Sequence, residues 1–446
     1  MAGDSSSATA KQRPVIFGAI GTTLEWFDFT LYLYLSPIIA SLFFPSDDQL
    51  ASLMATFGVF AAGYLMRPLG ALFFGSYGDR RGRKAALSLS VAMMSGPMVL
   101  IGLLPTHATI GAAAAVLLVL LRLVQGFSVG GEFGGSIVLL EESAPPGRRG
   151  LFTNLALSTA GIGFLLSSLT ATVLHALLST GQMESWGWRL PFFLGAAIGV
   201  FAFVMRRQMD ETERFKEAQE SGTLAEAPIH TLLQTERGRL AAVFLLVGYS
   251  GLTYYLAATF VPSWLQTVIE ADPAEALLAA TVGALLYTLV SPFAGLLSDR
   301  VGRRPMMAAG AVALAVGAYP LFDLMSEGTF PSILVGAVTL MLLVIVFAGP
   351  STPTFTELFS TATRYSGVAV GYGLGMAVFG GTAPLLATGL IKWTGNDLAP
   401  SFLLIGASLL VLAVIALIPE TAFGDREDET SEAKGEPAVA NSPAGP

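Results

Sequence analysis

The sequence predicts an all-α membrane protein: twelve transmembrane helices as two six-helix bundles, related by a pseudo-two-fold axis along the membrane normal. Three observations carry this. The 446 residues are 53% hydrophobic and only 13% charged, with a mean hydropathy of +0.66. The charges gather in short clusters between apolar runs of roughly 20 to 30 residues, the length an α-helix needs to cross a bilayer core. A charged decapeptide also recurs, GSYGDRRGRK at 75–84 lining up with GLLSDRVGRR at 295–304.

The apolar runs are helices, because an open sheet cannot satisfy its backbone in lipid. Residues 1–14, MAGDSSSATAKQRP, form a polar cytosolic tail, too long for a signal-peptide n-region. The apolar run behind it lacks a clear A-x-A cleavage site and is read as a retained first span at 15–44. Five more spans follow at 51–77, 85–105, 110–141, 151–178 and 189–206, completing a bundle over 15–206. Residues 207–238 are the longest polar connection and form a cytosolic central loop. Spans at 239–269, 274–298, 305–326, 330–358, 365–392 and 398–419 make the second bundle, over 239–419. From 420 to 446 the chain is acidic and rich in Pro, Ala and Ser, the composition of a disordered cytosolic tail.

Cations fix the orientation, since cytosolic loops carry the excess of Lys and Arg. Arg80, Arg81, Arg83 and Lys84 follow span two, and Arg148 and Arg149 follow span four. Arg206, Arg207, Arg214, Lys216, Arg237 and Arg239 separate the bundles. Arg300, Arg303 and Arg304 follow span eight, and Arg364 follows span ten. Only Arg189 and Lys392 fall on the other side. Both termini are therefore expected in the cytosol and the chain in the cytoplasmic (inner) membrane.

Composition also excludes. The net charge of −8 comes largely from the tails and no basic block occurs, so no nucleic-acid partner is expected. The absence of cysteine removes disulfides, thiol nucleophiles and thiolate metal sites. His107, His175 and His230 are scattered without ligand spacing, so no metal site is expected. No G-x-x-x-x-G-K-[ST] loop for ATP and no catalytic constellation appears. No cofactor is called for.

The repeated loop, G-x-x-x-D-R-x-G-R-[RK], is a tight turn needing the backbone freedom of Gly82 and Gly302. A second echo relates Glu141, Pro145, Arg148 and Gly150 to Glu357, Arg364 and Gly367. Topogenic charge alone explains one copy. Two copies in register, each with a Glu and an Arg at the far end of its bundle, favour a conformational latch. Asp79, Arg80, Arg83, Arg148, Asp299, Arg300, Arg303, Glu357 and Arg364 are its candidate residues. Asp79 and Asp299 are expected to pair with Arg364 or Arg148 across the interface.

These loops resemble the major facilitator superfamily over essentially all twelve spans. EWFDF at 25–29, RLVQGFSVGGEFGG at 122–135, WGWRLPFF at 186–193 and FGGTAPL at 379–385 resemble its metabolite–proton symporter subfamily more specifically. The resemblance implies a rocker-type carrier of citrate, 2-oxoglutarate, shikimate, or proline and betaine type, with Asp79 and Asp299 in cytosolic gating contacts. Two departures bear on the ligand. Tyr372-Gly373 stands where relatives often have Tyr-Asn, and Ser360 where a proline is common.

GTTLEWFDF at 21–29 places Glu25 and Asp28 in an apolar span, where an acid at the centre costs about 2.5–3.5 kcal/mol. Three residues apart, they share one face, with an axial separation of roughly 4.5 Å. In the resembled fold, spans one and four line one side of the cavity, which brings Arg122 within reach of the pair. Two carboxylates sharing one arginine cannot both carry charge cheaply. Glu25 or Asp28 is therefore read as taking up the coupled proton, the coupling ion being H+, while Arg122 receives a substrate carboxylate. The alternative is a static ion pair that fixes packing. Glu132 is a second proton site or a partner for Arg67. The glycines around it suit close helix contact, and Gln125 shares its face. Arg67, ahead of Pro68, is read as a structural pairing.

The second bundle has almost no deep charge but offers aromatic surface, of which Tyr254, Tyr255 and Tyr372 are candidate substrate contacts. With one well-placed cation, the cavity suits a ligand bearing one carboxylate, or a zwitterion whose cation meets Glu25, Asp28 or the face of Trp26. The expected function is proton-coupled symport of a small organic carboxylate by a functional monomer in the lipid bilayer. A zwitterionic osmolyte is the alternative substrate. An uncoupled facilitator and a membrane sensor are the alternatives of other classes.

Overall fold

A computed structural model describes residues 21–81, 83–129, 132–207, 232, 234–360 and 363–423; of 75, 76, 78–80, 83, 132, 206 and 207 it describes the backbone. Among these residues there are helices and no strands. Eleven helices are long and apolar enough to cross a membrane, and a bent pair makes the twelfth. They are α1 (Gly21–Tyr34 with Ser36–Phe43), α2 (Gln49–Leu65 continuing as Arg67–Arg81), α3 (Arg83–Leu103), α4 (Ala112–Glu142), α5 (Arg149–Leu177) and α6 (Leu190–Arg207). The second bundle comprises α7 (Arg237–Thr267), α8 (Pro273–Val301), α9 (Arg303–Ser326), α10 (Phe330–Glu357), α11 (Arg364–Thr394) and α12 (Ala399–Leu417).

The first span is broken rather than continuous: α1 bends by 63° at Leu35. Pro37 supplies the reason, because it has no N–H for the carbonyl of Leu33, four residues back. An unpaired carbonyl in lipid is costly. Here Ser263 Oγ, from α7, donates to it at 3.3 Å and also lies 2.8 Å from Ser36 Oγ. The kink in one bundle is thus satisfied by a hydroxyl of the other.

Glycines set how closely helices cross. A Cβ on Gly126 of α4 would strike the Gly63 carbonyl of α2, and one on Gly70 the Phe127 carbonyl. These contacts press α2 onto α4 at the level of Arg122 and Gln125. Between bundles, α5 and α8 form the most extensive contact. Gly150 and Gly295 are so close that a Cβ on either would meet the other's carbonyl oxygen. Burial separates central from peripheral helices, with 67% of the apolar window buried in α7 and 33% in α12. Two π-helical turns interrupt α7 at Leu256–Phe260 and α11 at Met376–Gly380, a feature the hydrophobic pattern does not announce.

Most of the expected central loop, and residues 424–446, lie outside the described residues. The expected tail does not begin as disordered chain at 420. Glu420 accepts the N–H groups of Arg303 and Arg304 at 2.8 and 3.0 Å, capping the start of α9, and Thr421 donates to Glu357 at 2.6 Å. Orphan N–H groups at a helix start attract a carboxylate, which explains the docking.

Candidate functional site

A cavity of about 50 Å³ lies between the bundles. Seven aromatic rings line it: Trp26, Phe133 and Phe164 from the first bundle, Tyr254, Tyr287, Phe355 and Tyr372 from the second. Six of them form a chain in which each touches the next. Tyr372 packs on Phe133 at 5.3 Å between centroids, Phe133 on Trp26 at 5.4 Å, Trp26 on Phe164 at 5.1 Å, Phe164 on Tyr254 at 4.4 Å, and Tyr254 on Tyr287 at 4.9 Å. The described lining contains no Lys, Arg, His, Asp or Glu.

Of the candidate substrate contacts, Trp26, Tyr254 and Tyr372 line the cavity. Tyr255 does not line the cavity; its hydroxyl is hydrogen-bonded to that of Tyr64, tying α7 to α2. Phe133 and Phe164 were not singled out by the sequence, because lone phenylalanines in apolar runs carry no signal of position.

The acids lie behind this wall, and the structure corrects their expected pairing. Glu25 and Asp28 do not share Arg122. Glu25 accepts from Arg67 at 2.8 Å, and the Arg67 guanidinium sits 4.3 Å from the ring centroids of both Phe29 and Tyr64. Asp28, fully buried, accepts from Gln125 Nε2 at 2.8 Å and is 3.4 Å from Arg122. Arg122 lies over the Tyr32 ring at 4.1 Å. Arg122 and Gln125 are thus partners of Asp28 and lie outside the cavity lining. The Gly63–Gly126 crossing holds α2 close to α4, and Arg67 of α2 reaches Glu25. The side chain of Glu132 lies outside the described residues.

At the end carrying the repeated loops, the expected cross-pairs of Asp299 with Arg364 or Arg148 do not form. Asp299 accepts the N–H groups of Gly150 and Leu151 at 2.8 and 3.1 Å, and pairs with Arg303, the first residue of α9, at 2.7 Å. Arg303 also binds Glu357 at 2.9 Å. Arg364 crosses to Glu141 at 2.8 Å, with Arg149 at 3.5 Å from the same carboxylate. Arg148 and Arg300 are exposed. Gly302 has φ +107°, a conformation glycine alone adopts readily. Gly82 and the side chains of Asp79, Arg80 and Arg83 lie outside the described residues. Asn154, another residue the sequence reading passed over, donates from α5 to the Gly349 carbonyl of α10 at 2.8 Å.

The opposite end is bridged as well. Thr172 and Thr281 hydroxyls are 3.0 Å apart, and Lys392 contacts Asp48 at 2.9 Å. The hydrogen bond from the Lys392 ammonium holds the Asp48 carboxyl below its ordinary value. Both ends thus carry contacts between the bundles among the described residues.

Two helical bundles closed over a buried cavity define a membrane transporter, and the comparisons agree. The chain matches the "Sugar (and other) transporter" family over residues 15–227 and the Major Facilitator Superfamily over 243–444. It is 34% identical to the citrate-proton symporter of Klebsiella pneumoniae, over 86% of each chain. To the alpha-ketoglutarate permease of Escherichia coli it is 36% identical, over 86% of this chain and 89% of that one. To the proline/betaine transporter of Escherichia coli it is 31% identical, over 91% and 82%. The xylose transporter of Escherichia coli, in a partially occluded inward-open conformation, superposes with a TM-score of 0.72 at 16% identity, over 91% of this chain and 97% of that one. The chain belongs to the major facilitator superfamily.

Proposed function

We propose that the protein is a proton-coupled symporter of a small organic carboxylate carrying no more than one uncompensated negative charge. It would work as a monomer in the cytoplasmic membrane, with both termini cytosolic and no cofactor beyond the coupling proton. The observation that carries the reading is Asp28, a fully buried carboxylate on α1, the helix that also brings Trp26 to the cavity. Its closest donor is the neutral amide of Gln125, and its arginine stands off at 3.4 Å. Glu25 is held by a shorter ion pair of 2.8 Å. Of the two acids, Asp28 is the one whose charge a cation balances least closely, so it is the proton carrier in this reading. Arg122 compensates it when it is ionised, and the Glu25–Arg67 pair is the standing charge pair of the first bundle.

The substrate class follows from the cavity wall. A tricarboxylate closed inside a wall of rings with no lining cation would lose its hydration without replacement. A single carboxylate asks for much less. The seven rings also favour a second reading, a proline- or betaine-type zwitterion, whose cationic end would rest on an aromatic face. The loop-end contacts of Asp299 and Glu141 would close the cytosolic side, and the Asp48–Lys392 and Thr172–Thr281 contacts the outer side, in alternation.

Uptake into proteoliposomes under an inward proton gradient tests the proposal, with labelled monocarboxylates, proline and glycine betaine as substrates. Accumulation that an uncoupler abolishes supports it. Flux that ignores the gradient leaves a facilitator, and binding without flux leaves a sensor.

A further inference from the structure

Two donors in the cavity wall have no acceptor. The indole Nε1 of Trp26 and the hydroxyl of Tyr254 are buried and unpartnered among the described residues, on side chains that are 2% and 5% exposed. Two other polar side chains in the wall are satisfied. Ser250 pairs with Ser351 at 3.2 Å, and Thr352 donates to the Ala348 carbonyl at 2.9 Å. An unpaired buried donor is costly, and in lipid no bulk water offsets it. Two such donors beside one cavity are a standing deficit that a bound acceptor would remove.

Their chemistry restricts that acceptor. An indole N–H only donates, and a tyrosine hydroxyl has one proton to give. A carboxylate, with two oxygens and a charge that strengthens each bond, matches two neutral donors. Their placement adds a second property. Trp26 stands on α1 and Tyr254 on α7, and both rings pack against Phe164. One group can therefore engage both donors only while the bundles are closed on each other.

We infer that the solute's carboxylate is received by a neutral clamp, the Trp26 indole N–H from one bundle and the Tyr254 hydroxyl from the other. Recognition and closure are then one event. A carboxylate completes both hydrogen bonds in the occluded state and in neither open state, whereas a solute without one gives the bundles no such reason to close. Arg122 has no part in holding it. The inference rests on the central cavity being the substrate site, but not on proton coupling.

The test is ligand-dependent thermal stability of the purified full-length protein in detergent, with no gradient present. The probes are L-proline, glycine betaine and benzoate, each compared with its own carboxamide. Wild type is expected to bind at least one carboxylate about tenfold or more tightly than the matching amide. Trp26→Phe and Tyr254→Phe should each shrink that ratio by about threefold, and the double variant should bring it close to one. A packing defect would weaken acid and amide alike and leave the ratio intact, and that outcome overturns the clamp. So does a wild-type protein that no carboxylate of the panel stabilises. Loss of coupling is read separately, as uptake insensitive to uncoupler, so the clamp and the symport reading can fail independently.

Discussion

The Asp299 carboxylate lies 2.8 Å from the backbone nitrogen of Gly150 and accepts its N–H, so an acid at the end of α8 caps the start of α5 in the opposite bundle. The first N–H groups of a helix have no partner of their own and carry its positive dipole end. Gly150 and Gly295 allow the approach, and Arg303 at the start of α9 fixes the carboxylate at 2.7 Å. The latch therefore joins an acid to a helix end, rather than joining opposite charges across the gap.

Asp299→Asn should loosen this end. The amide keeps an acceptor oxygen but loses the charge that complements both the helix end and Arg303, a change of about 1–2 kcal/mol. The chain has no cysteine of its own, so Ser250→Cys can report on cavity exposure. Maleimide labelling from the loop-carrying end should accelerate roughly tenfold in the Asp299→Asn background. An unchanged rate would mean the helix cap does not hold that end shut.

Because Glu25 and Asp28 have separate arginines, their neutralisation should give separate phenotypes. Asp28→Asn keeps the contact with Gln125 and removes the group proposed to carry the proton. Gradient-driven accumulation should vanish while exchange of labelled for unlabelled solute persists. Glu25→Gln leaves Arg67 charged and buried beside Phe29 and Tyr64, and should lower thermal stability by about 3–5 kcal/mol. If Glu25→Gln alone abolished accumulation at wild-type stability, the assignment to Asp28 would be reversed.

The twelve helices, their doubling and the loop clusters were legible in the sequence because length, hydropathy and charge are local properties. The Pro37 kink was legible only in part: the proline is visible, but the Ser263 that satisfies Leu33 comes from another bundle. The ion pairs were legible in part: Arg122 meets Asp28 and Arg67 has a structural partner, as expected, but that this partner is Glu25 was not. Which arginine meets Glu25 depends on how closely α2 and α4 cross at Gly63 and Gly126, and one sequence shows the glycines without showing what lies opposite. The cavity wall was half legible. Trp26 and Tyr254 stood out as polar-tipped aromatics, while Phe133 and Phe164 look like any lipid-facing phenylalanine until packed.

Gly126 sets that crossing, so Gly126→Ala should push α2 and α4 apart. Its new methyl would meet the Gly63 carbonyl, which as backbone cannot swing aside. A loss of about 1–3 kcal/mol is expected, read as a lower unfolding temperature in detergent. Gly58→Ala on α2 is the contrast, since nothing lies within 4 Å of the added Cβ. That variant should gain up to about 1 kcal/mol from helix propensity. Equal losses in both would show that the close crossing is not what Gly126 provides.

The outer end should respond to pH through Asp48. This residue lies between α1 and α2, and the Lys392 ammonium, bonded to it at 2.9 Å, holds its carboxyl below the ordinary value of 3.8. A lowered carboxyl stabilises the state in which it is lowered at pH above the ordinary value, and that contribution is lost as pH falls through the lowered one. The bridge is half-exposed, so the effect is small and salt-sensitive. Labelling of Ser250→Cys from the outer end should be faster in Lys392→Met than in its parent at pH 6. The difference should shrink as pH drops below 3.8, and about 0.5 M salt should diminish it at either pH. Asp48 also caps α2 by accepting the Ala51 N–H at 3.0 Å. Asp48→Asn preserves that cap, because asparagine caps about as well, whereas Asp48→Ala loses it. The alanine variant should therefore melt at a lower temperature than the asparagine variant. If the two melt alike, the cap adds nothing and the ion pair is the whole of Asp48's role.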